Sequence, residues 1–288
     1  MFSQSIQEII KKRYSCRTYQ KEMMSDHLKD QINQIIAEPM TAPFQTPARF
    51  KFVAKDINNP NELKGLITYG FIKGLPGFII GAITQERPYH LEDYGYLMEK
   101  IILKATDIDL GTCWLGGSFH KSNFASKISV TSNEIIPAVV SIGPKAKKKG
   151  TVESIIRWQA KADHRHPWEQ LFFKDSWNTP LSKFVSEQYL MPLEMLRLGP
   201  SASNKQPWRI VKEKDSHTYH LYLERTKGYD RSLKLVNAVD LQRVDMGIAM
   251  CHFELTANEE GLMGQWIIQD PKIQTPSNTH YIATWTEK

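Results

Sequence analysis

Two stretches of this 288-residue chain decide its fold: Asp93–Trp114, DYGYLMEKIILKATDIDLGTCW, and Asp245–Trp266, DMGIAMCHFELTANEEGLMGQW. Laid on each other they pair Asp93 with Asp245, Gly95 with Gly247, Ala105 with Ala257, Leu110 with Leu262 and Trp114 with Trp266. The offset is 152 positions throughout (245 − 93, 257 − 105, 266 − 114). Each stretch reads as a long helix running into a short strand that carries a Trp, and one such unit repeated at a fixed distance is the mark of an internal duplication.

The surroundings read the same way in both halves. Ser3–Lys12 and a stretch from Ser25 place isoleucines and leucines at helical spacing, and Phe50–Val53, Phe78–Ile83, Thr112–Leu115 and Pro137–Ile142 read as strands. In the second half a helix is expected over Leu181–Arg197. Strands follow at Trp208–Val211 and Tyr219–Leu223, then a helix over Leu241–Glu259 and strands at Gln265–Ile268 and His280–Thr284. The expectation is an α+β fold: two similar halves, 1–149 and 150–288, packed as an intramolecular pseudo-dimer with a monomeric or weakly dimeric chain. The lysine-rich run Lys145–Gly150 would mark the junction.

Composition narrows the class. With 41% hydrophobic and 24% charged residues the chain matches ordinary globular usage. The net charge of +6 has its densest source in Lys145, Lys147, Lys148 and Lys149, without the aromatic interleaving of a nucleic-acid surface. Cys16, Cys113 and Cys251 are too scattered for a disulfide framework or a Cys-x-x-Cys metal site. No apolar stretch approaches the roughly 18 residues of a membrane helix, and the N-terminal stretch does not read as a signal peptide, so a cytoplasmic protein is expected.

Three segments could carry chemistry. In Arg13-Tyr14-Ser15-Cys16-Arg17 an extended backbone puts Arg13, Ser15 and Arg17 on one face, which suits a phosphate or serves merely as a polar helix end. Gly199-Pro200-Ser201-Ala202-Ser203-Asn204-Lys205-Gln206-Pro207-Trp208 is a stiff polar loop able to offer donors and acceptors to a planar heterocycle, or an ordinary turn. Leu110–Gly117 ends in Gly116-Gly117, which either let backbone amides approach a ligand or make a tight turn. Cys113, without a His or Asp at motif spacing, reads as a structural thiol.

At these segments the sequence resembles the FMN-dependent nitroreductase family. Arg13–Arg17 is similar to that family's Arg-x-Ser-x-Arg/Lys segment, and Pro200–Trp208 to its Pro-Ser-x-x-Asn-x-Gln-Pro-Trp loop. Leu110–Gly117 resembles its Leu-Gly-x-x-x-Cys-Trp-x-Gly stretch. Ile142-Gly143-Pro144 and Arg165–Glu169 resemble its post-strand Gly and late Arg-Lys-Pro-Leu-Glu segments. The arginine segment lies in one half and the Pro-Ser loop in the other. The first half has only Ala42-Pro43-Phe44-Gln45-Thr46-Pro47 where its loop should be.

The resemblance implies a fused, single-site branch of the family, with an α/β sandwich fold and one FMN between the halves. It implies that Arg13, Ser15 and Arg165 hold the phosphate, with Tyr14 in the same segment, and that Arg17 lies near the N1/C2 side of the ring. Pro200, Ser201, Ala202, Ser203, Asn204 and Gln206 would frame ring and ribityl chain, Gly116 and Gly117 would face the N5/O4 edge, and Lys73 is a further candidate. Tyr94, Tyr96 and Phe71 are aromatics that either line an acceptor pocket or belong to the core. The implied activity is hydride transfer from NAD(P)H, bound transiently, through FMN to a nitroaromatic, quinone or similar small acceptor, with no metal, nucleic acid or membrane involved. A non-catalytic flavin store, or an enzyme using FMN as substrate, is the alternative.

Overall fold

A computed structural model describes residues 2–55, 62–63, 65–66, 72–74, 76–117, 121–147, 150–159, 161–183, 188–229 and 239–288. Alternating apolar runs build two five-stranded sheets. The first contains β1 (Ala48–Val53), β2 (Gly77–Thr84), β3 (Gly111–Leu115), β4 (Glu134–Ile135) and β5 (Val139–Gly143) in the order β1-β2-β5-β3, with β4 on β2. The second contains β6 (Phe172–Lys174), β7 (Trp208–Lys212), β8 (Tyr219–Glu224), β9 (Gly264–Ile267) and β10 (Thr279–Glu287) in the order β6-β7-β8-β10-β9. Only β6, at its edge, runs parallel to its neighbour.

The helices are α1 (Ile6–Lys12), α2 (Asp26–Ala37), α3 (His90–Asp107), α4 (Lys121–Ile128), α5 (Thr151–Gln159), α6 (Trp168–Leu171), α7 (Leu190–Arg197) and α8 (Leu241–Glu259). In each sheet a long helix precedes the strand that ends the sheet order: α3 lies between β2 and β3, and α8 between β8 and β9. These two helices cross each other and are buried along most of their length, taking polar residues such as Glu92, Asp93, Glu99, Asp245 and His252 inside with the apolar ones.

The crossing is set by two glycines. A Cβ on Gly95 would run into the carbonyl oxygen of Val244, and a Cβ on Gly247 into that of Glu92. The contacts are reciprocal at the 152-residue offset (247 − 95, 244 − 92), as in an isologous interface.

One core cluster fills the second sheet, α1, α7 and α8, with Phe253, Trp266, Trp285, Tyr189 and Tyr219 in mutual edge or tilted contact. Another joins the first sheet to α2, α3 and the Val244 and Ile248 side chains of α8. Tyr94 and Tyr96 are core residues rather than pocket aromatics: both are buried, and the Tyr94 hydroxyl donates to Ala138 O. Phe71 lies outside the described residues.

Three boundaries differ from the sequence reading. The helix expected from Leu181 starts at Leu190, because the Leu181 N–H is spent on Phe172 O and its carbonyl on Trp168 Nε1. Gly143 ends β5 instead of following it. The lysine run is anchored, not a free linker: Lys145 pairs with Asp109 at 2.6 Å and Gly150 N donates to Thr18 Oγ1. Lys148 and Lys149 lie outside the described residues. Among those described, no helix is long and apolar enough to cross a membrane, and no cluster of His, Cys, Asp and Glu could hold a metal ion.

One surface pair ties β1 to the sheet edge. The Arg49 guanidinium donates to both Glu134 oxygens at 2.8 and 2.7 Å and to the Ile128 and Ser129 carbonyls. The bonds from Arg49 draw the Glu134 carboxyl down to about 2. A depressed pKa stabilises the fold above the unfolded value near 4.5 and ceases to do so as pH falls toward 2. The stability advantage of the native chain over Glu134→Gln, from urea melts at pH 7 and pH 3, is therefore expected to shrink at the lower pH.

Candidate functional site

The segment after α1 enters the first sheet from its edge. Ser15 bridges Thr112 in parallel, Cys16 N donates to Thr112 O, and Thr18 bridges Lys73. These bonds hold Arg13–Arg17 extended, with Ser15 and Arg17 beside the end of β3 where Gly116 and Gly117 follow. Cys16 is buried in the process, and burial pushes its thiol up to about 11. Cys113 and Cys251 are buried with raised thiols too, so none of the three is an activated nucleophile.

The loop between α7 and β7 is fixed from several directions. Asp245 Oδ1 accepts from Ala202 N, Ser201 Oγ accepts from Gln206 N, and the Gln206 side chain accepts from His166 N. Ser203, Asn204 and Gln206 all hold positive φ (51°, 54° and 48°), a left-handed backbone that non-glycine residues adopt only under outside constraint. Such strain, held by a network of hydrogen bonds, is typical of ligand loops.

The two segments meet. A cleft of about 290 Å³ is lined by Ser15, Arg17, Gly116, Gly117, Pro200, Ser201, Ala202 and Ser203, and on its apolar walls by Trp114, Ala138, Leu241, Val244 and Ile248, with Asp245 among them. It continues through Ser15, Arg17, Pro200, Ser201 and Ser203 into a smaller chamber of about 130 Å³. There Arg13, Tyr14, Arg165 and Asn204 join the wall, and Asp163 is the acid present. An apolar slot leading to a strongly cationic end suits a flat ring bearing an anionic tail.

Behind the slot lies a buried charged cluster. Glu99, fully buried on α3, accepts from Trp114 Nε1 at 2.8 Å and lies 2.9 Å from His252 Nε2 on α8 and 3.7 Å from Arg13 Nε. His252 Nδ1 is 2.9 Å from the Met195 carbonyl. Both imidazole nitrogens thus lie within hydrogen-bond distance of an oxygen. Burial alone would raise the Glu99 carboxyl, but the hydrogen bond and charge of His252, with Arg13 and Trp114, outweigh it and hold it below its ordinary value.

Against this geometry, the chain matches the family described as "Putative TM nitroreductase" over residues 5–257. The chain belongs to the nitroreductase family. Members of that family are oxidoreductases. Among solved structures it resembles a "putative nitroreductase" from Thermotoga maritima at 20% identity and a TM-score of 0.59, the match covering 100% of this chain and 95% of that one. Further matches are a nitroreductase family protein of Clostridium difficile 630 (21% identity, TM-score 0.40, 51% of this chain and 88% of that one) and an "FMN-dependent Nitroreductase" of Clostridium difficile R20291 (22%, 0.39, 49% and 88%). No curated protein matches the chain.

Within this nitroreductase fold most of the residues singled out from sequence line the two joined chambers, and two do not. Lys73 donates its N–H to Arg17 O and accepts from Tyr19 N, but its exposed side chain lines neither chamber. Gln206 is buried behind the loop, where its amide serves the His164, Asn204 and His166 backbone. Asn204 lines the smaller chamber, yet its Nδ2 is committed to the Lys161 and His164 carbonyls. Arg165 directs its Nη atoms to Ala162, His164 and Leu198 carbonyls and toward Asn204 Oδ1, so it clamps the loop while standing in the chamber wall. The sequence reading missed Leu241, Val244, Asp245 and Ile248, which α8 supplies, and the Glu99–His252 pair. Asp245 had been visible only as a partner of Asp93 in the repeat.

Proposed function

We propose that the chain is an FMN-dependent oxidoreductase with one site, formed between two related halves, 1–149 and 150–288, acting on nitroaromatic, quinone or similar electron-poor acceptors. The observation that carries this reading is that arginines near residue 15, Arg165 and the loop at 200–204 converge on one cleft with a cationic end and an apolar slot. When bound, FMN would supply the redox chemistry, passing hydride from NAD(P)H to the acceptor. In this reading Arg13 and Ser15 hold the phosphate, supported by Arg165. Arg17 places a fixed charge beside the ring, where it stabilises negative charge electrostatically. Gly116 and Gly117, of which Gly116 packs beneath Leu241, would present backbone N–H groups toward the N5/O4 edge of the ring.

The duplication accounts for the single site. Between Pro43 and Pro47 the first-half loop has four steps, against seven between Pro200 and Pro207, so it is three residues shorter. Asp93 holds it by both oxygens, from Phe44 N and Thr46 N. At the place corresponding to Leu241 stands Tyr89 (241 − 152), whose ring packs on Phe44 at 4.6 Å. Glu92, the counterpart of Val244, is buried and paired with Arg243. A shortened loop, two rings and an ion pair occupy what would be a second slot.

Reconstitution tests the reading. The purified protein should bind one FMN per chain, bleach with NADH or NADPH under anaerobic conditions and recolour on adding an acceptor. A chain that cannot be loaded with FMN would end the proposal, and flavin bound without reduction by either nicotinamide would leave only a binding role. Arg17→Met should weaken FMN binding by roughly ten- to a hundredfold, the worth of a charge-assisted contact, as read by flavin fluorescence titration.

A further inference from the structure

The repeat gives each half an aspartate at the same place on its long helix, and the two are used differently. Asp93 has both carboxylate oxygens bonded to its own loop, from Phe44 N at 2.9 Å and Thr46 N at 2.8 Å. Asp245 makes one such bond, from Ala202 N at 2.9 Å, and its buried Oδ2 has no hydrogen-bond partner among the described residues. The side chain is 3% exposed and stands in the wall of the cleft, between Val244 and Ile248. The shorter first-half loop bonds both oxygens of its aspartate, and the longer second-half loop bonds only one.

A buried polar atom with no partner is costly, and at a cleft wall its natural partner is a ligand. The charge around it decides which kind. Among the described residues no cation lies within ion-pair distance of Asp245. Arg17 lines the same cleft but directs Nη1 to Ser15 O. On its own helix Arg243 is spent on Glu92 and the Pro88 carbonyl, and Asp240 at the N-cap is itself negative and paired in two places with Arg225. Burial and Asp240 both push the Asp245 carboxyl well above the ordinary aspartate value, against the single bond from Ala202 N. A lone carboxylate buried without a second partner is disfavoured, and the neutral acid is the form such a position favours.

We propose that Asp245 is a neutral acid whose Oδ2–H donates a hydrogen bond to an acceptor atom, a carbonyl oxygen or ring nitrogen, of the flat heterocycle held in the cleft. The inference rests on the FMN reading above and adds a ligand-contacting residue to it. It also gives the two aspartates distinct tasks: Asp93 closes its half, and Asp245 meets the ligand.

Asparagine is the discriminating substitution, since its Oδ1 can accept from Ala202 N while its Nδ2 donates in place of the acid. FMN affinity, measured by fluorescence titration of the full chain, should stay within about threefold in Asp245→Asn and fall roughly ten- to a hundredfold in Asp245→Ala. Asp93→Ala, which frees the equivalent loop without facing the cleft, should lower the melting temperature and leave FMN affinity unchanged. If Asn loses as much as Ala, the ionised carboxylate is what binds and the proposal fails; it fails equally if Ala binds as the native chain does. Asp245→Ala also frees the Ala202 N–H, so ligand contact is read separately: the carboxylic carbonyl stretch that is missing from Asp245→Asn should shift when FMN binds, and an unchanged band leaves loop support as the explanation and overturns the proposal. A second readout needs no flavin: the infrared difference between the native protein and Asp245→Asn should contain the carbonyl stretch of a protonated carboxylic acid, and its absence overturns the neutral state. If the native chain binds no FMN, the cofactor reading itself falls, an outcome separable from every variant pattern above, and this inference falls with it.

Discussion

Gly247→Ala is expected to lower the melting temperature by roughly 6–12 °C, the equivalent of about 3 kcal/mol for a chain of this size. A methyl at this position would collide with the Glu92 carbonyl and lie 2.7 Å from Tyr96 N, all backbone atoms of α3. Flexible side chains can swing aside; a helix backbone cannot, so the two helices must separate. Separation unpacks both sides of the crossing at once, because α8 contributes Val244 and Ile248 to the core of the first sheet and Met246, Met250 and Phe253 to that of the second. It also shifts the wall of the cleft, since Leu241, Val244, Asp245 and Ile248 lie on the same helix. Thermal melts of Gly247→Ala and Gly95→Ala check this. A change below about 1 °C in both would mean that the close crossing does not govern stability.

The second large effect is expected at Glu99. Replacing it with leucine takes the carboxylate from the buried His252 imidazole and from beside Arg13, and removal of one partner from a buried ion cluster costs about 3–5 kcal/mol. Trp114 loses the acceptor of its Nε1–H at the same time, so the cleft wall is released along with the phosphate-side arginine. Urea melts of Glu99→Leu should show the stability loss, and FMN titration a weakened site.

The pH dependence follows from the direction of the shift. The Glu99 carboxyl is held below its ordinary value of 4.5, so its contribution is complete above that pH and disappears as acid protonates the folded state. The difference between the native chain and Glu99→Gln should therefore be largest near neutrality and narrow below about pH 4.5. A difference that grows in acid would show that the cluster is held together in another way.

Much of this was legible in the sequence for a simple reason. Helix and strand periodicities are local, and the apolar residues of α3 and α8 recur at helical spacing over most of their length, so both helices could be read directly. The 152-residue offset was legible because the crossing admits only glycine at two places and the repeat had to preserve both. Arg13–Arg17 and Pro200–Asn204 were legible because a phosphate face and a stiff polar loop each need particular residue types at short spacing. The helix expected from Leu181 failed because a β-type hydrogen bond to Phe172 claims that residue, a competition that no local pattern reveals.

The sequence alone determined that two similar helix–strand units exist and that an arginine segment sits in one half and a polar loop in the other. Tertiary structure alone decided that these meet in one cleft, because more than 180 residues separate them along the chain and it is the crossing of α3 and α8, with α1 packed on α7 and α8, that brings them together. It decided also that Gln206 and Asn204 brace the loop, that the Lys73 side chain lines neither chamber, and that Asp245, unlike Asp93, has one oxygen without a hydrogen-bond partner among the described residues. Those are properties of hydrogen-bond partners contributed by distant segments, and a residue's partners are set by packing rather than by its own neighbours in sequence.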